Sequence, residues 1–272
     1  MPQLKLKMFD MSSVKNDSCV IMLGKRRTGK SFLVRDLLSY HSDMPAGVVI
    51  SGTEASNGFF GKIFPPVFIH EEFKPKIIEN LIKRQKGVIK KILAAPAGCN
   101  IDPRCILLMD DCLYDAKSWA NDVNIRQIMM NGRHLKLFFI MTSQYPLGVP
   151  PSLRSNIDYV FILRENIMQN RRRIYENYCG MLPSFDIFCS VLDQTTENHE
   201  CLVVDNTTSS NKIEDCLFYY KAGNPPPFTI GSRVFWNANN VHLNQEDDDD
   251  EEPFDMSCAK TKRVANLVVK KA

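Results

Sequence analysis

An α/β sandwich around a mainly parallel sheet is the fold class that the sequence predicts. Three observations carry it. Short apolar runs, several of them apolar on both faces, recur along the chain as buried parallel strands do. Stretches with apolar residues at helical spacing alternate with them. The first strand-to-helix junction holds a glycine-rich loop, GKRRTGKS, which is where a parallel sheet places its ligand-binding turns.

The elements follow in order. Residues 1–16 read as an irregular or edge-strand lead-in. SCVIML at 18–23 is a buried strand that ends at Gly24. FLVRDLLSYH, after the loop, has helical periodicity, and GVVIS at 47–51 is a second strand. Residues 72–95 place Phe73, Ile77, Ile78, Leu81, Ile82, Val88, Ile89, Ile92 and Leu93 on one side of a long amphipathic helix, with lysines and arginines between them. CILLM at 105–109 is a strand that runs into Asp110 and Asp111. Residues 122–130 are helical through Ile125, Ile128 and Met129. LFFIMT at 137–142 is another buried strand, followed by Ser143, Gln144 and the proline-rich turn YPLGVPP. IDYVFIL at 157–163 is a strand, and helices fill 166–179 and 184–193. CLVVD and CLFYY, joined by a polar stretch, form a C-terminal hairpin. The expected organisation is a lead-in over 1–16, a nucleotide-binding domain over 17–222 and a weakly ordered tail over 223–272.

Composition narrows the class. The chain has 272 residues, 44% hydrophobic and 24% charged, values that exclude wholesale disorder, collagen and coiled coil. No apolar run approaches the roughly 18 residues that span a bilayer, and the first residues lack a signal-peptide stretch, so a cytosol-like compartment is expected. Nine cysteines without a C-x-x-C pair do not suggest a zinc ribbon or a disulfide framework. Cys19, Cys105, Cys189 and Cys201 lie in apolar runs and read as small buried hydrophobes. The net charge is only +3, but seven consecutive acids, Glu246–Glu252, sit in the tail. Setting them aside leaves 34 basic against 24 acidic residues, a net +10 that permits nucleic-acid binding without requiring it.

The loop Gly24-Lys25-Arg26-Arg27-Thr28-Gly29-Lys30-Ser31 matches G-x-x-x-x-G-K-[ST]. Its glycines let successive backbone N–H groups face an anion, and the next helix adds its N-terminus. Lys30 is expected to reach the β- and γ-phosphates and Ser31 to ligate Mg²⁺; Phe32 continues the cradle. At the end of the third apolar strand, Asp110 would hold Mg²⁺ through water. Asp111 would take a proton from the attacking water or orient it; a helix cap or a solvated acid is its alternative. Gln144, at the next strand end, would sense the γ-phosphate or position water, or simply hydrogen-bond at the strand end. An acid beside the Mg²⁺ aspartate and an extra strand ending in a polar residue favour ATP-driven motors over nucleotide kinases. No N-K-x-D guanine reader occurs, so ATP is preferred to GTP. A kinase stays open as the alternative because arginines in 165–176 imitate a lid, and an ATP-binding switch protein is a third reading. Arg133, Arg154 and Arg164 compete as an arginine finger reaching a neighbour's site, against the plainer role of surface ion pairs. Lys83, Arg84, Lys86, Lys90 and Lys91 on the long helix and Arg171–Arg173 on another are the basic faces.

GKRRTGKS, CILLMDDC, NGRH, FFIMTSQYPLGVPPSLRSNIDYVFILRE and the hairpin near ECLVVD together resemble the genome-packaging ATPases of nucleocytoplasmic large DNA viruses, poxvirus-type relatives within the FtsK–HerA superfamily. The resemblance covers roughly residues 15–222. It implies a RecA-like core, a homo-oligomeric ring, ATP and Mg²⁺, and double-stranded DNA moved into a preformed capsid. It also implies work at the virus assembly site in the host cytoplasm, presence in the virion, and capsid or membrane components at the packaging vertex as partners. Lys30, Ser31, Asp110, Asp111 and Gln144 take the roles already given. Much of the superfamily has Glu where Asp111 stands.

Overall fold

The computed structural model describes residues 4–96, 100–112 and 119–237. Its centre is a nine-stranded sheet in the order β1-β9-β8-β7-β2-β6-β5-β3-β4. The strands are β1 (Lys7–Met8), β2 (Cys19–Leu23), β3 (Gly47–Ser51), β4 (Ile69–His70), β5 (Cys105–Asp110), β6 (Leu137–Ser143), β7 (Tyr159–Ile162), β8 (Glu200–Asp205) and β9 (Leu217–Lys221). Every pairing is parallel except those of β8 with β7 and β9. The architecture is the expected RecA-like P-loop NTPase sandwich, with the β8–β9 hairpin at its C-terminal side.

Five longer helices cover the sheet: α1 (Lys30–Ser39), α2 (Pro75–Ala94), α3 (Val123–Asn131), α4 (Met168–Tyr178) and α5 (Phe185–Thr195). Alternate strand residues feed two cores. On one face Ile21, Leu107, Met109, Phe139 and Met141 meet Ile78, Leu81, Ile125, Ile128, Ile174 and Phe188 from α2–α5. On the other, Val20, Met22, Leu108, Ile140 and Phe161 meet Leu33, Val34, Leu37 and Leu38 of α1. Central strands are buried on both sides, which is why they read as unbroken apolar runs.

The lead-in supplies β1 at the sheet edge, and Phe9 inserts among Tyr159, Phe161, Phe218 and Tyr220 with edge-on rings 5.6–6.4 Å apart. Residues 223–237 run back across the α1 face. Ile230 is buried there and its N–H donates to Ile63 O at 2.7 Å. A last helical turn then brings Phe235 against Phe68, ring centroids 4.9 Å apart. The acidic run and the basic C-terminal end lie outside the described residues. No helix among the described residues is long and apolar enough to cross a membrane.

Cys19 in β2, Cys105 in β5 and Cys201 in β8 are buried thiols, and burial pushes all three pKa values up, Cys105 to about 12. Cys189 is only half-buried on α5.

Candidate nucleotide site

The carboxyl ends of β2, β3, β5, β6, β7 and β9 meet at one edge of the sheet, together with the start of antiparallel β8. A cleft of about 1060 Å³ opens there. It is the crevice at strand ends where open α/β sheets take ligands.

The loop from β2 to α1 forms its floor. Arg27 (φ 64°) and Gly29 (φ 100°) take left-handed backbone conformations. Gly29 does so without penalty; Arg27 carries a strain that such sites commonly store. Gly24 must be glycine for a different reason: a Cβ there would lie 2.7 Å from Thr28 Oγ1 and 2.9 Å from Leu163 Cβ. Lys30 is buried, and its Nζ donates to Gly24 O at 2.5 Å and Lys25 O at 3.1 Å. Burial pulls the pKa of Lys30 down, and Asp111 and Asp110 pull it back up. Lys25, Arg26, Arg27, Ser31 and Phe32 also line the cleft. Lys25 is tied to the chain after β7 by an ion pair with the buried Glu165, 2.7 Å. Burial raises the Glu165 pKa, but hydrogen bonds from Lys25, the Ile167 N–H and Asn170 outweigh it and hold the carboxyl low. Thr28 does not itself line the cleft; its hydroxyl donates to Lys25 O at 2.8 Å and closes the loop.

The facing wall comes from β5 and β6. Asp110 is buried at the end of β5. Its Oδ1 accepts from Thr142 Oγ1 at 2.7 Å and its Oδ2 from Ser51 Oγ at 3.4 Å. Asp111 has φ 52°, and its N–H donates to the same Thr142 Oγ1 at 3.0 Å. The Gln144 amide then donates to Asp111 Oδ2. The structure therefore brings Lys30, Ser31, Asp110, Asp111 and Gln144 to one cleft. Thr142 joins the two aspartates, a role that sequence reading did not assign; its signal was a hydroxyl inside an otherwise apolar strand.

A third wall was not anticipated. Leu163, Asn198, His199 and the segment Lys221–Asn224 close the β7–β9 side of the cleft. Asn198 (φ 50°) and His199 (φ 65°) are consecutive left-handed residues at the α5–β8 junction. His199 Nδ1 comes within 4.0 Å of the place a Gly29 Cβ would occupy, so the imidazole flanks the phosphate loop.

The candidate arginines lie elsewhere in the chain. Arg133 precedes β6, at the opposite edge of the sheet, where it pairs with Asp158. Arg154 is held by Val149 O at 2.9 Å, by Asn177 Oδ1 and by the Tyr178 ring, 5.9 Å away. Neither lines the cleft formed by its own chain. Arg164 is exposed, directly after Leu163. The lid-like arginines of α4 are all engaged. Arg171 pairs with Asp193, Arg172 lies 4.3 Å over the Phe185 ring, and Arg173 lies 5.2 Å over Tyr145.

No protein-family model matches the chain. Several relatives align over most of it. "Uncharacterized protein L437" of Acanthamoeba polyphaga mimivirus is 40% identical over 90% of this chain and 86% of its own length. "Uncharacterized protein 075L" of Invertebrate iridescent virus 6 is 40% identical over 75% of this chain and 77% of its own. Among solved structures, the genome packaging NTPase B204 of Sulfolobus turreted icosahedral virus 2, in complex with sulfate, superposes with a TM-score of 0.54. It is 15% identical and covers 78% of this chain and all of its own. The same NTPase has been solved in complex with ATP-gammaS, with a TM-score of 0.51, 14% identity, and coverage of 76% of this chain and 98% of its own. At that identity the likeness is one of fold.

Proposed function

The chain belongs to a family of large DNA virus proteins that includes mimivirus L437 and iridescent virus 075L, on a fold shared with a viral genome packaging NTPase, and we propose that it hydrolyses ATP to translocate double-stranded DNA into a preformed capsid. The observation that carries this reading is the Asp111–Gln144 pair set across the cleft from the phosphate loop.

ATP enters with its phosphates on the loop. Lys30 exchanges the Gly24 and Lys25 carbonyls for the β- and γ-phosphates. That exchange favours the charged ammonium, whose pKa burial depresses. Ser31 and Asp110 are the hard oxygen donors for Mg²⁺. The residues fit: Ser31 offers a hydroxyl oxygen and the buried Asp110 a carboxylate oxygen to the same cleft. Mg²⁺ in such sites takes one or two protein ligands and completes its shell with substrate phosphates and water. The bound ion would neutralise charge developing on the phosphates. Asp111 accepts a proton from the attacking water, and Gln144 fixes both the carboxylate and that water.

Positioning and electrostatics carry most of phosphoryl transfer. An arginine completes the charge balance, and neither Arg133 nor Arg154 reaches the cleft of its own chain. A neighbouring copy in a head-to-tail ring supplies it. Arg133 suits this better than Arg154: its side chain is 66% exposed and held by one partner, Asp158. The engaged arginines of α4 weaken the kinase alternative, because none lines the cleft.

The test is ATP hydrolysis by the purified full chain, with and without long double-stranded DNA at fixed low salt. Stimulation that fades as salt rises is expected, with turnover abolished in Lys30→Ala. Wild-type turnover in that variant would overturn the site. Phosphoryl transfer to a nucleoside, indifferent to DNA, would replace the motor with a kinase.

A further inference from the structure

We infer that the acidic run Glu246–Glu252 docks onto the exposed lysine face of α2 in the same chain. The seat is specific. Every buried residue of α2 (Ile78, Leu81, Ile82 and Gln85) lies in its first three turns. Beyond Gln85 no residue of the helix is buried, and Leu93 is 82% exposed. A Cβ at Gly87 would meet nothing within 4 Å. This half of the helix carries Lys86, Lys90 and Lys91, with Lys83 one turn before. The described residues offer this face a single carboxylate, Glu79, 3.8 Å from Lys83 and already bonded to Lys76 at 3.0 Å. The other basic helix differs, since each of its arginines has a partner within the fold.

The chain's exit point brings the acids to this seat. Phe235 lies 6.0 Å from the Arg84 guanidinium, and Asn237 is the last residue described. Eight residues, 238–245, then precede Glu246. Extended, they reach about 28 Å, whereas Lys83 to Lys91 spans about 12 Å of helix. That length lets seven carboxylates reach a stripe in which, among the described residues, only Lys83 has an ion-pair partner. On the reading above, the same stripe suits the DNA backbone, so the acids would compete with DNA for it; that consequence alone rests on the proposed function.

Zero-length carbodiimide cross-linking of the full chain, mixed from ¹⁴N- and ¹⁵N-labelled batches, tests the contact. Links from the acidic run to Lys83, Lys86, Lys90 and Lys91 within one isotope are expected, and they should disappear in about 0.5 M salt. Links to Lys25 or Lys221, links spread over all lysines, or links between isotopes would overturn the inference. A second arm replaces the seven acids by Asn and Gln. Double-stranded DNA binding at about 50 mM salt should tighten about tenfold. In a K83Q/K86Q/K90Q/K91Q background the gain should fall below about twofold; a gain that persists there is general charge repulsion and overturns the inference. DNA-free ATP turnover of the lysine variant should match the parent, which shows that it folds. Mapped links with no DNA binding by any variant would leave the docking standing and sink the translocase reading instead.

Discussion

The side-chain amide of Gln144 donates to the carboxylate of Asp111, so the ends of β5 and β6 share one polar unit facing the phosphate loop. Residues that act as a unit lose their effect together. Asp111→Asn and Gln144→Ala should each lower kcat about 100-fold with a smaller change in KM. The double variant should be no slower than the worse single one. Steady-state ATP hydrolysis decides it; multiplicative losses would show two independent roles.

Thr142, behind the cleft wall, accepts from the Asp111 N–H and donates to Asp110. Thr142→Val leaves both without that partner. A loss of about 1–3 kcal/mol is expected in denaturant unfolding, with most of it regained in Thr142→Ser. Equal stability of the valine variant would contradict the bridge.

His199 sits at a left-handed backbone position beside Gly29. Glycine there removes the imidazole and relieves the strain. His199→Gly should raise KM for ATP about threefold to tenfold, an order of one lost hydrogen bond, while Tm holds or rises. An unchanged KM would place the side chain outside nucleotide binding.

His41 is buried against Phe138, ring centroids 4.5 Å apart, and its Nε2 has no hydrogen-bond partner among the described residues. Burial lowers its pKa to about 4; Asp43 opposes the shift and Arg104 adds to it. The folded state therefore favours the neutral ring. The stability this contributes is present above the usual histidine pKa of 6.5 and is lost as pH falls through 4. His41→Gln should flatten the fall in Tm between those limits. A variant that loses stability on acidification as steeply as the parent would assign the effect to other groups.

The phosphate loop and the Asp110–Asp111 strand end were legible because each is written in consecutive residues. The strand, the glycines and the helix periodicity around Lys30 adjoin one another, and apolar runs mark strands buried on both faces. Thr142 was not legible, because its role depends on the β5–β6 register, which pairs Met109 with Met141 and puts the hydroxyl behind both aspartates. His199 reaches the loop only through the antiparallel course of β8, about which its own neighbourhood in sequence is silent. Arg172 and Arg173 read as a basic surface, yet the aromatic rings beneath them come from other elements.

The buried thiols of Cys19, Cys105 and Cys201 stand one each in β2, β5 and β8. A sulfur sealed in this way, with its ionisation suppressed, reacts with an alkylating reagent only while its strand is open. The sheet thus carries three native clocks. The labelling rate at each reports how often the phosphate-loop strand, the aspartate strand and the hairpin strand come apart, and binding of nucleotide should slow the first two more than the third.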